Sequence, residues 1–172
     1  TEILVQHKAL LTTGFDDTQR RTVMDALGMA GSDYRQQVYA GGFSGSIVPT
    51  PRTDVLALLE QALAYIDQTL RTNRREDGLY HAYNILHLRP GAAHVGHLYA
   101  MLEGQVAMLS SGLLDGGAAL ALLNALRTSV LYRADQHSYI LYPDRELPGF
   151  LAKNNVPHAL VQGLPLVAQL VE

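Results

Sequence analysis

The chain contains no cysteine among its 172 residues. Disulfides and thiolate metal sites are therefore excluded, and the composition is that expected of a reducing compartment such as the cytoplasm. There is no basic excess either. Thirteen Lys and Arg stand against 16 Asp and Glu, for a formal charge of -3. Such a balance gives no means of neutralising a phosphate backbone or an anionic lipid surface, so neither nucleic acid nor membrane is an expected partner. No uninterrupted apolar run approaches the ~20 residues that cross a bilayer. The start, Thr1-Glu2-Ile3-Leu4, has no basic n-region and no initiating Met. The end, Leu164 to Val171, is apolar apart from one Gln and is followed only by Glu172. Both ends read as cut from a larger protein, and the length fits one domain over 1–172.

What is present points to helices. Val55, Leu59, Leu63, Ile66 and Leu70 recur at steps of three and four, predicting a helix over 53–72 with one buried face and Thr53 or Asp54 as N-cap. Val95, Leu98, Leu102, Val106 and Leu109 predict a second over 94–111, closed by Ser111-Gly112. A third begins after Asp115 with Ala119, Leu123, Leu126 and Val130 on one side, so the short turn between the two implies an antiparallel αα-hairpin. Asp16-Asp17-Thr18 precedes a helical pattern carrying Val23, Met24 and Leu27, and residues 3–11 read as the end of a further helix. Residues 41–51 and 132–148 are expected as long ordered loops, and short helices are expected over 146–154 and 156–171, broken at Pro157 and Pro165. The predicted class is all-α.

Several functional motifs fail on inspection. The segment Gly41 to Ser46 has no Gly-Lys-Ser/Thr and lacks the spaced glycines of a dinucleotide fold. Gly42-Phe43-Ser44-Gly45-Ser46 approaches a nucleophile elbow but places Ser where its second Gly belongs, with no convincing strand before it. His94 and His97 lie three apart without a third ligand, fewer than a zinc site takes, and read as half-exposed residues at a helix start. No metal or cofactor is predicted.

The chemically richest stretch is Asn73 to His87. If 79–88 is helical, Tyr80, Tyr83, Asn84 and His87 share a face opposite Leu79, Ala82, Ile85 and Leu86. Aromatic platforms beside Asn, His, Arg and carboxylates suit a polyhydroxylated ligand, a saccharide. The alternative is that the tyrosines only pin a charged turn against 132–148. Arg75, Tyr80, His81, Tyr83, Asn84, His87, Arg133, His137 and Tyr139 are the candidate ligand-binding residues. Glu103, expected beside a buried stripe, and Asp135 are the candidate catalytic carboxylates, Asp144 being a further one. Glu103 is equally read as the ion-pair partner of Arg74, Arg75 or Arg133.

Three blocks, Asn73 to Leu86, Leu102 to Leu114, and Leu131 to Pro157 with its Asp135-Gln136-His137-Ser138-Tyr139, resemble a region of large uncharacterised bacterial proteins associated with α/α-toroid carbohydrate-active enzymes. The blocks cover about half the chain. The resemblance implies helical hairpins around an axis and assigns no catalytic pair. Two functions follow: a non-catalytic interaction domain contacting the rest of its parent chain or a second copy, and part of a glycan-processing enzyme.

Overall fold

The computed structural model describes residues 1–161 and 163–171. Gln162, within the helix expected over 156–171, and the terminal Glu172 lie outside the described residues. In chain order the elements are α1 (Glu2–Gln6), α2 (Leu10–Thr13), α3 (Asp17–Gly41), α4 (Arg52–Thr72), β1 (Asn84–Arg89), β2 (Ala92–His97), α5 (Leu102–Ser110), α6 (Gly116–Thr128), β3 (Tyr132–Arg133), β4 (Ser138–Tyr139), α7 (Phe150–Lys153), α8 (His158–Val161) and α9 (Pro165–Val171).

The all-α toroid expectation is overturned: the chain is 54% helix and 11% strand, with two antiparallel two-stranded sheets. The expected 79–88 helix is absent. Leu79 and Tyr80 instead run alongside Asn73 to Arg75, with Arg74 and Tyr80 forming a bridge, and β1 pairs with β2 from Asn84–His97 to Arg89–Ala92. The expected helix over 94–111 shrinks to α5, because its first four residues belong to β2. The turn that makes this hairpin is Pro90-Gly91. Gly91 has φ +69°, a conformation glycine adopts at no steric cost. His94 and His97 are accordingly strand residues, not a helix start. The second expected loop also contains a hairpin, β3 with β4.

α3 starts where Asp16 caps it: its carboxylate accepts from the Gln19 amide while Gln19 reaches back to the Asp16 amide. α4 forms over the expected range, but its N-cap is Pro51 with no side-chain cap, not Thr53 or Asp54. Between the two helices, residues 42–51 adopt neither helix nor strand. α5 and α6 are joined through Asp115, whose side chain accepts from Ala118 N.

The core lies between residues 79 and 131 and joins Leu79, Tyr80, Ala100, Met108, Leu122, Leu126 and Leu131. The buried face of α5 is Gly104, Gln105 and Met108, one step round from the expected Val106 and Leu109, both of which are exposed. On α6 the core residues are Leu122 and Leu126, while Leu123 and Val130 face solvent. Gly104 brings the α5 backbone against Ala82, where an added Cβ would sit 2.8 Å from the alanine methyl. Gln105 is fully buried. Its Oε1 accepts from Tyr80 N at 2.8 Å, and its Nε2 donates to Tyr80 O and Met101 O, each at 2.8 Å. The opposite edge of this short strand is paired by Arg75 N to Leu79 O and His81 N to Asn73 O. A side-chain amide thus supplies Tyr80 with the donor and acceptor that a neighbouring strand would provide.

The predicted buried stripe of α4 meets the core only at Leu70, which is partly buried against it. Leu59 and Leu63 are each 58% exposed, and Val55 and Ile66 are exposed with them. The outer part of α3 likewise presents Leu27, Met29, Tyr34 and Tyr39 to solvent.

Candidate functional site

A cavity of about 460 Å3 opens where the first turns of α3 and the last turns of α4 meet the β1–β2 hairpin. Its apolar wall is built from Phe15, Val23, Met24, Tyr65 and Val95. The Phe15 and Tyr65 rings sit 6.1 Å apart and tilted by 55°. The Tyr65 hydroxyl donates to Leu4 O, and burial raises its pKa. At one end Arg20 ties three segments together: its guanidinium donates to the Asp17 carboxylate, to Ala93 O in β2 and to Phe15 O. Asp17 also lies 3.1 Å from His94 Nδ1, and the Arg20 and His94 contacts hold its carboxyl below the usual carboxylate range.

The other end is a side-chain relay. His97 Nδ1 lies 2.8 Å from Asn84 Oδ1, and Asn84 Nδ2 donates to Asn73 Oδ1 at 2.9 Å. The His97 ring stacks on His81 at 3.9 Å between centroids, with planes 10° apart. Burial, and then the neighbouring His97 and Arg75 charges, hold His81 below the ordinary imidazole pKa.

The structure disperses the candidate residues named from sequence. Tyr80 is 7% exposed and belongs to the core, which corrects its assignment to a ligand-binding aromatic face. His81 is half-buried in the stack and Arg75 is held by Asp77. Asn84 alone of the set lines the cavity. His87 lies across the sheet from it, against Gly96, and alternation along β1 explains why. Tyr83 is exposed and donates from its hydroxyl to Glu103 Oε2 at 3.1 Å, and this carboxylate raises the phenol pKa. Glu103 is itself exposed, so the expected desolvation and arginine pairing are both replaced by the Tyr83 contact.

Arg133, Asp135, His137 and Tyr139 gather separately at the β3–β4 hairpin. Arg133 forks onto Asp135 and reaches Asp144, and it holds the Asp135 carboxyl below its ordinary pKa. His137 Nδ1 lies 3.4 Å from the Tyr132 hydroxyl, and the Tyr132 and Tyr139 rings are 5.2 Å apart. Arg127 stacks on the Tyr132 face at 3.7 Å. The two carboxylates first named as catalytic therefore have different partners on different elements.

Sequence reasoning missed the cavity because Phe15 and Arg20, Tyr65 and Asn73, and His97 come from three separate segments. Among the described residues no group of three or more His, Asp or Glu side chains has the arrangement of a metal site. No described helix is long and apolar enough to cross a membrane. No protein-family model matches this chain, and no curated protein matches it.

Proposed function

We propose that this chain is a non-catalytic docking domain whose α3–α4 arms and C-terminal helices are covered by the rest of a longer protein. The observation that carries this is the surface it exposes. The accessible area is 12998 Å2. A compact monomer of 18.8 kDa has about 8,300 Å2, so the excess is about 4,700 Å2. A standard interface covers about 800 Å2 per partner, so one such contact does not account for the excess. The exposed apolar side chains are also spread over several faces: Leu59 and Leu63 on α4, Tyr34 and Tyr39 on α3, Ile85 and Leu88 on β1, Leu151 and Leu166 in the last helices. A two-fold dimer buries one self-complementary patch, whereas a domain set among neighbours in its own chain buries several.

The glycan-processing alternative required Tyr80, His81, Glu103, Asp135 and His137 on one concave wall. Tyr80 is instead sealed beneath Gln105, and Glu103 and Asp135 are engaged by Tyr83 and Arg133.

X-ray scattering with multi-angle light scattering on the isolated chain tests the docking reading. The expected result is either self-association or a monomer whose radius of gyration lies well above the ~16 Å of a compact chain of this length, with fast amide exchange in α4. A strict monomer near ~16 Å with protected α4 amides would overturn it.

A further inference from the structure

We propose that the cavity between α3, α4 and the β1–β2 hairpin is a binding site for an uncharged planar ring carrying a hydrogen-bond donor beside an acceptor, as in an aryl amide or a nucleobase. Three observations specify that class independently of the docking reading.

The first is charge. The ionic groups lining the cavity, Arg20 and Asp17, are spent on each other. Arg20 also donates to two backbone carbonyls, and Asp17 takes a second contact from His94. With His97 neutral, neither an anion nor a cation finds a free counter-charge there, and a charged ligand loses its hydration without compensation. The second is shape. Phe15 and Tyr65 form a tilted aromatic wall, and the cavity of about 460 Å3 falls within the ~300–1,000 Å3 of small-molecule sites.

The third is the polarity of the relay. Asn84 Nδ2 donates to Asn73 Oδ1, which leaves Asn84 Oδ1 as the group facing His97 Nδ1. A carbonyl oxygen only accepts, so the proton of neutral His97 sits on Nδ1 and its Nε2 is an acceptor. His97 Nε2 and Asn73 Nδ2 have no hydrogen-bond partner among the described residues. The Asn73 and His97 end of the cavity thus offers a donor and an acceptor, facing the apolar wall of Phe15, Val23, Met24, Tyr65 and Val95. An amide edge, or the edge of a nucleobase, presents the complementary pair, and a site with polar groups committed in this way rejects a ring that lacks them.

The probe is benzamide, titrated into the purified chain and followed by NMR on the Asn73 and Asn84 side-chain amides and the His97 imidazole. A dissociation constant on the order of 1 mM is expected for so small a ligand, with benzoate and benzamidine at least about tenfold weaker. Asn73→Asp, nearly isosteric, turns the donor into an anionic acceptor and is expected to reverse the preference, so that benzamidine binds at least about tenfold better than benzamide. Gln68→Trp places a large ring at the cavity wall from a residue whose side chain makes no hydrogen bond among the described residues, and is expected to abolish the benzamide response while the backbone amide spectrum stays native. The proposal is overturned if benzamide perturbs none of these groups at several times that concentration, or if benzoate binds equally well. An unchanged preference in a folded Asn73→Asp chain overturns it too.

Discussion

Replacing Gln105 by Met keeps the side chain's length and volume while removing both its donor and its acceptor. The three 2.8 Å hydrogen bonds to Tyr80 N, Tyr80 O and Met101 O are lost together. Met101, the N-cap of α5, loses the Gln105 side chain as a donor. Tyr80 keeps nothing, because its N–H and C=O face α5 and the other strand edge is already used by Arg75 and His81. Two buried backbone groups left unpaired cost about 1–3 kcal/mol each, so the expected loss is about 4 kcal/mol. For a chain of this size that is a fall in Tm of roughly 10 °C. Urea and thermal denaturation followed by circular dichroism read it directly. Gln105→Glu sharpens the test. A carboxylate against two carbonyl oxygens is destabilising, whereas the protonated acid donates to one of them. Burial raises the folded-state pKa of that acid above its unfolded value, so the variant recovers stability as pH falls and loses it as pH rises through the raised pKa. A Gln105→Met chain within about 0.5 kcal/mol of the parent refutes the view that this amide stands in for a strand.

Gly104→Ala sets a methyl 2.8 Å from Ala82 Cβ and 3.1 Å from its Cα; the strain is expected to outweigh the better helix propensity and cost about 1–3 kcal/mol by urea denaturation. The His81 pKa is lowered, first by burial, so the unfolded chain takes up this proton more readily than the folded one. The stabilising contribution is present above the unfolded value near 6.5 and falls away as pH drops below it, and His81→Phe should flatten that part of a Tm-against-pH curve. Glu103→Gln removes the negative charge beside the Tyr83 hydroxyl, and carbon-13 titration of that ring should show its pKa move back down toward 10. Leu59→Ser with Leu63→Ser touches an exposed stripe, so stability of the isolated chain should change by less than about 0.5 kcal/mol per site while self-association weakens in light scattering; a large stability loss would mean the stripe is already buried.

Spacing alone located α4, whose expected cap the structure corrects, and spacing together with a cap located α6. α4 and α6 lie where 3.6-residue periodicity put them, and the Asp115 cap opens α6 as the short connection required. Periodicity misled at 94–111, because Val95 and Leu98 fall in helical step with Leu102 although a strand ends between them. The overlooked signal was Pro90-Gly91, a turn dipeptide flanked by two short apolar runs. Reading 79–88 as a helix then placed Tyr80 and Asn84 on one face, and the candidate site inherited that error. A strand separates positions three apart, such as Asn84 and His87, by alternation, and Tyr80 lies in a separate short pairing with Arg74.

Burial was the least legible property, for a physical reason. A stripe such as Val55, Leu59, Leu63 and Ile66 records that a surface is meant to be covered, and not by what. The described residues leave it open, while residues 79–131 close their own core with a polar residue. Gln105 sits mid-helix, where a polar side chain ordinarily reads as solvent-facing, yet among the described residues it is a fully buried polar side chain. Both departures follow from one constraint. Two-stranded sheets are marginal in water, so Gln105 completes one strand edge and Arg20 reaches a carbonyl of β2. No such side chain covers Leu59 and Leu63 among the described residues, and on the docking reading that stripe is the face against which the rest of a longer protein packs.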